Sequence, residues 1–189
     1  MANRNTQGFG LVPAGTLGST PATSGQGKYK IDAGYGTTIY QGGAVASSAG
    51  YIIDGQTTDA PILGVLNGIF YNAATTLKPT FANFYKQPIT PANSEDIDAF
   101  VFDNPQQQYV VAIDNTLAQA GYLETYDMNT SAGDDTTGRS SATLDHDDTS
   151  ADAASFRLLR SAEDPENDEN AAFRSVVVVP NLINLQKGQ

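Results

Sequence analysis

A chain of 189 residues, 40% of them hydrophobic, is long enough to bury a core of its own and fits one main domain. With no cysteine it has neither a disulfide framework nor a thiolate metal site, so its stability comes from burial and from association. The net charge of −11 excludes direct nucleic-acid binding, which needs clustered Lys and Arg, and it is unevenly placed: residues 124–170 hold 13 Asp and Glu against Arg139, Arg157 and Arg160.

Eighteen glycines and nine prolines cut the chain into short segments and predict an all-β fold, a β-barrel-like single domain of short strands. Residues 1–27 read as an extended arm whose isolated apolar residues, Phe9, Leu11, Val12 and Leu17, would anchor it to a neighbouring subunit. Residues 28–127 read as the barrel core. Its predicted strands are 28–31, 37–40, 51–53, 62–70 and 80–85, and Gly64 and Gly68 mark a bulge or a place where another backbone comes close.

The segment 97–102 carries apolar residues on both sides, which predicts a strand covered on both faces. Asp103-Asn104-Pro105 then turns the chain, so 97–113 reads as a hairpin. A short helical turn is expected over 116–121 and a return to strand at 122–126. Residues 128–154 are acidic and poor in apolar groups and read as a long exposed excursion. Residues 155–189 supply closing strands at 156–160 and 175–179, joined by an acidic loop, and a C-terminal tail of the same domain.

The chemistry-bearing residues form no convincing catalytic set. His146 is the only histidine, and Asp145, Asp147 and Asp148 around it make a solvated acidic loop the simpler reading than a metal or catalytic site. Asp134-Asp135 and the acids of 163–169 do not match an EF-hand loop. No Gly-x-Ser-x-Gly elbow, Walker loop or dinucleotide fingerprint is present, so neither catalytic residues nor a cofactor nor a metal is expected. The chain has no run of roughly 18–20 apolar residues to span a bilayer. Its start lacks the apolar stretch of a secretory signal, so the expectation is a protein made in the cytoplasm and not bound to membrane.

Four segments occur in order: Gly8-Phe9-Gly10-Leu11-Val12-Pro13, Tyr35-Gly36-Thr37-Thr38-Ile39-Tyr40-Gln41-Gly42-Gly43, Pro61-Ile62-Leu63-Gly64-Val65 and Phe102-Asp103-Asn104-Pro105. Together they resemble the small capsid decoration, or cement, proteins of tailed bacteriophages. That resemblance implies a non-enzymatic virion protein with a β-barrel-like body on the outer surface of an expanded head, made in the host cytoplasm. It also implies that the major capsid protein is the partner, that neighbouring capsid subunits are bridged, and that the chain forms a homo-oligomer, a trimer or a dimer. Phe9, Leu11, Val12 and Leu17 are the expected capsid-facing anchors, and the acidic segment would face solvent.

Two rival classes use the same scaffold. A glycan- or receptor-binding module of a tail or fibre would expose aromatic residues, with Tyr71, Phe81, Phe84 and Tyr85 as candidates, although ordinary core packing is the simpler reading of them. A carboxylate-dependent hydrolase would need a pair of acids in a cleft with separated proton affinities.

Overall fold

The computed structural model describes residues 5–18, 25–56, 61–129, 133–147 and 154–181. Residues 1–4 and 19–24 of the expected arm, 130–132 and 148–153 of the expected excursion and 182–189 of the expected tail lie outside the described residues. In chain order the strands are β1 (Val12–Thr16), β2 (Gly27–Ile31), β3 (Ala44–Ser48), β4 (Tyr51–Asp54), β5 (Ile62–Asn72), β6 (Pro79–Ala82) and β7 (Ile97–Phe102). They continue with β8 (Gln107–Ala112), β9 (Thr125–Tyr126), β10 (Gly133–Asp134), β11 (Arg139–Ser140), β12 (Phe156–Ser161) and β13 (Ser175–Pro180). The fold is all-β.

One sheet has the order β1-β8-β13-β12-β9 and the other β2-β7-β5-β3-β4, with β6 added alongside β5. The end strands of the second sheet, β2 and β4, approach each other without a ladder between them. The sheet therefore curls, and the expected barrel is not closed.

The central strand β5 carries two irregularities. Its register against β3 skips Leu63, and its register against β7 skips Asn67. Each extra residue shifts the alternation of side chains by one. As a result Ile62 and Val65 face a core shared with Tyr109, Val111, Phe156, Leu158, Val176 and Val178 of the first sheet. Leu63, Leu66 and Ile69 face a second core inside the curl, with Ile31, Ile39, Val45, Ile52, Tyr85 and Ile97. One strand thus serves two cores, and the curl coils instead of closing.

Gly64 and Gly68 behave as the sequence predicts. A Cβ on Gly64 would stand 2.2 Å from the Phe102 carbonyl oxygen, and one on Gly68 would stand 3.0 Å from that of Ala82. The closing strands also match: β12 pairs with β13, and Val176–Val179 are all buried. The run 37–40 does not form a strand and contributes only the isolated bridge between Ile39 and Tyr85.

The expected hairpin at 97–113 is overturned. β7 pairs with β2 and β5 in one sheet, whereas β8 pairs with β1 and β13 in the other. The chain makes an arch between sheets. In a hairpin both apolar rows face one core; here Ile97, Ala99 and Val101 enter the second core while Tyr109 and Val111 enter the first. The Tyr109 hydroxyl closes the arch by donating to the Phe102 carbonyl at 3.1 Å, and the Gln107 amide donates to the Asn104 carbonyl at 3.0 Å.

The expected exposed excursion is also corrected over its described part. Met128, Ser140, Ala142, Thr143 and Leu144 are buried, and Leu144 bridges to both Ile113 and Met128. The short β10–β11 hairpin reaches the surface, with Asp134 and Arg139 exposed, as does Asp147. Apolar residues at every second position, Ala142 and Leu144, are enough to draw a polar segment inward once its backbone groups find partners. Those partners include the Gly10 and Asp114 amides, which donate to Ala142 and Leu144.

Candidate functional site

The N-terminal segment is seated on its own chain. The Gly10 amide donates to Ala142 at 3.1 Å and the Leu11 amide to Gly42 at 2.8 Å. Gly10 and Gly42 both have positive φ, and a Cβ on Gly10 would lie 2.9 Å from the Gly42 oxygen, so the crossing requires glycine. β1 then pairs with β8 as the edge of the first sheet. Over 12–16 the predicted arm is an edge strand.

Beside it lies a groove of about 170 Å³ lined by Phe9, Leu11, Val12, Leu66, Phe102 and Arg139, among others. Three of the four predicted anchors therefore meet at one place. Leu11, only 2% exposed, belongs to the first core and is not available as a surface anchor, because its side chain fills the space between the sheets. Phe9 is half-buried. Val12 at 47% and Leu17 at 36% exposure are presented outward. The outer edge of β1 carries Pro13, which has no amide to donate, and a bulge between Pro13 and Gly15. Both features disfavour addition of another strand. Recognition here would use side chains.

A second surface lies on the outer face of the curled sheet. The registers align Phe81, Phe70, Asp98 and Lys30 in one row across β6, β5, β7 and β2, and Gly68, Phe100 and Lys28 in the next. Asp98 bridges Lys28 at 2.7 Å and Lys30 at 2.6 Å. Burial pushes its carboxyl up, but the hydrogen bonds from the two lysines outweigh that and hold it below the usual range. Next to the row is a cleft of about 320 Å³ lined by Lys30, Phe70, Tyr71, Asn72, Glu95 and Asp96 among others.

No family model, curated protein or solved structure matches this chain. The surfaces must be read from their own chemistry.

The aromatic candidates separate. Phe81 is 74% exposed and meets Phe70 at 4.7 Å between ring centroids. Tyr71 lines the cleft. Phe84 is half-buried and stacks on Tyr40 at 5.7 Å, with the planes 6° apart. Tyr85 is not a surface residue: it is buried in the second core and its hydroxyl donates to the Tyr35 carbonyl. Sequence reasoning missed Phe70, Phe100, Lys28, Lys30 and Asp98. The signal was present in the alternation of 97–102, whose second face is half-buried: Asp98 and Phe100 turn to this surface while Phe102 packs against the first core.

The carboxylates mostly cap turns. Asp134 accepts from the Thr136 amide at 2.8 Å, Asp164 from that of Glu166 and Asp168 from that of Asn170, each at 3.0 Å. Asp135 accepts from the Tyr40 hydroxyl and bridges Lys86. The His146 ring lies 3.0 Å from Asp147, and its amide donates to Asp114. Among the described residues no three His, Cys, Asp or Glu side chains converge to hold a metal ion. No helix of the described residues is long and apolar enough to cross a membrane.

Tyr29 anchors β2 to the arch by donating to Asp103 at 2.7 Å. Burial and then this carboxylate push its hydroxyl up to about 12. The hydrogen bond to Asp135, and then burial, bring Tyr40 up to about 12 as well. A raised folded value gives stability that is complete below the unfolded value near 10 and is lost as pH rises toward 12. Alkaline titration followed by phenolate absorbance should therefore show these groups ionising late, coincident with loss of stability. Tyr29→Phe should remove part of that loss, and an unchanged alkaline transition in this variant would refute the assignment.

Proposed function

We propose that this chain is a structural, non-catalytic virion protein that binds the outer surface of an expanded tailed-phage head and bridges neighbouring major capsid subunits. The observation that supports the reading most directly is the N-terminal groove. It places the half-buried Phe9 and the exposed Val12 along an immobilised edge strand, with Leu17 exposed just beyond it. Anchors held in place lose little conformational entropy on docking. A protein that binds two subunits only in their expanded arrangement stabilises that arrangement by mass action. Several copies of one modest contact then act together across the lattice.

The test mixes purified protein with expanded, undecorated heads and measures saturable co-sedimentation. The double variant Val12→Asp/Leu17→Asp changes two exposed residues, so the fold should survive. Its affinity for heads should fall at least about tenfold, the equivalent of 1.4 kcal/mol. Absence of saturable binding by the wild-type chain would sink the reading.

A second reading is favoured by the cleft beside Phe70 and Tyr71, where Asn72, Glu95 and Asp96 could accept or donate to hydroxyl groups. It is a glycan- or receptor-binding module of a tail or fibre. Binding to a glycan panel without binding to heads would move it to first place.

A further inference from the structure

The N-terminal groove carries hydrogen-bond donors that meet no acceptor among the described residues. Asn67, half-buried on its wall, is the residue that the β5–β7 register skips. Such a bulge re-aims a side chain out of the ladder. Gln41 Nε2 donates to the Asn67 carbonyl at 3.0 Å and to Asn67 Oδ1 at 3.3 Å. A carbonyl can only accept, so the nitrogen end of Gln41 is fixed there, and the oxygen of the Asn67 amide must face it. Asn67 Nδ2 is left over, with no acceptor among the described residues. Arg139 is the other donor. It is exposed on the same groove, and its guanidinium makes neither a hydrogen bond nor an ion pair with any described residue.

The rest of the lining is apolar or already satisfied. Buried Leu11 and Leu66, half-buried Phe9 and Phe102 and exposed Val12 supply carbon surface, and Gln41 Oε1 accepts from Asn83 Nδ2 at 3.5 Å. Among the described residues no Asp or Glu lines the groove. The two acids in the Arg139 hairpin are engaged: Asp134 accepts from Thr136 and Thr137, and Asp135 accepts from Tyr40 and bridges Lys86.

We propose that this groove receives a segment of the capsid subunit in which an apolar side chain is flanked by a carboxylate. The inference rests on the head-binding reading and names the chemistry of its partner. At about 170 Å³ the groove is smaller than the roughly 300–1,000 Å³ typical of small-molecule pockets, and it suits one inserted side chain. The flanking carboxylate supplies the acceptors: its two oxygens match the planar fork of Arg139, and Asn67 Nδ2 adds a further donor. A segment without an acid would cover the guanidinium and leave it unpaired. The donors that attract the right segment therefore disfavour a wholly apolar one.

The first test needs no heads. N-acetyl-leucine, a carboxylate, and N-acetyl-leucinamide, its uncharged counterpart, are titrated into the full-length chain, with amide chemical shifts followed at Val12, Asn67 and Arg139. The carboxylate should bind at least about fivefold more tightly. Arg139→Gln should erase that preference, while Arg139→Lys keeps part of it. The second test is co-sedimentation with expanded heads, where Arg139→Glu should weaken binding at least about tenfold with an unchanged melting temperature. Arg139→Gln, which adds no charge beside Asp134, should weaken it as well. Equal binding of the two probes, or wild-type affinity for heads in both Arg139 variants, would overturn the inference and leave head binding standing. A wild-type chain that does not bind heads would sink the head-binding reading, and the inference about its partner with it, whatever the probes show.

Discussion

Gly64→Val is expected to abolish folding, and Gly64→Ala to cost about 3 kcal/mol or more, at the upper end of what overpacking usually costs. The added Cβ would fall 2.2 Å from the Phe102 oxygen, 2.7 Å from Val101 Cγ1 and 2.9 Å from the Phe102 carbonyl carbon. Two of these contacts are backbone, so no rotamer change relieves them. β5 and β7 would have to separate at Val65 and Phe102, one end of their ladder. That ladder separates the two cores, and against a typical total stability of about 5–15 kcal/mol the loss is a large fraction. Urea denaturation of Gly64→Ala beside Gly36→Ala, whose added methyl meets nothing within 4 Å, measures the effect. A Gly64→Ala protein within about 1 kcal/mol of wild type would show that the strands slide apart freely.

The second large effect is expected at Arg174, which is 2% exposed. Its guanidinium donates to the Glu169 carbonyl and the Tyr122 hydroxyl and lies 5.4 Å above the Tyr122 ring, while Nε has no hydrogen-bond partner. The side chain ties the end of the acidic loop to the turn before β9. Arg174→Ala opens a cavity and strips two acceptors of their donor, for an expected loss of about 3 kcal/mol. Arg174→Met fills the volume and removes a buried charge, so it should recover part of that loss. Denaturation curves of the two variants separate packing from hydrogen bonding. An Arg174→Ala protein as stable as wild type would mean that the guanidinium holds nothing in place.

The strands most legible in the sequence were those whose signal is local. The valine run of β13 and the β-branched and glycine pattern of β5 need no partner to be recognised. β3, made of Ala44-Val45-Ala46-Ser47-Ser48, escaped because small residues carry little strand signal, yet it joins β5 to β4. The arch at 103–106 shows the opposite failure. Its turn chemistry was correct, but Asp103-Asn104-Pro105 serves a hairpin and an arch equally, and only the destinations of Val101 and Tyr109 distinguish them.

The candidate surfaces divide in the same way. Val12 and Leu17 were visible as apolar residues without a local core, and they are exposed. Leu11 bears the same local signature and is buried, because Gly42 lies against it from 31 positions away in the chain. Of the aromatic face the sequence showed only Phe81 and the alternation of 97–102, since Phe70, Phe81 and Phe100 become neighbours through ladder registers alone.

By itself, the sequence determined the all-β class, the need for glycine at position 64 and the burial of the β13 valines, because alternation, turn chemistry and steric size act within a few residues. Only the tertiary structure decided which sheet each strand joins, that 140–144 turns inward, and which apolar side chains are left facing solvent. Those outcomes depend on pairings between distant segments, such as the Gly10 amide with Ala142. An amphipathic strand records that one face seeks a core, but the choice of core is made by whichever partner strand satisfies its backbone.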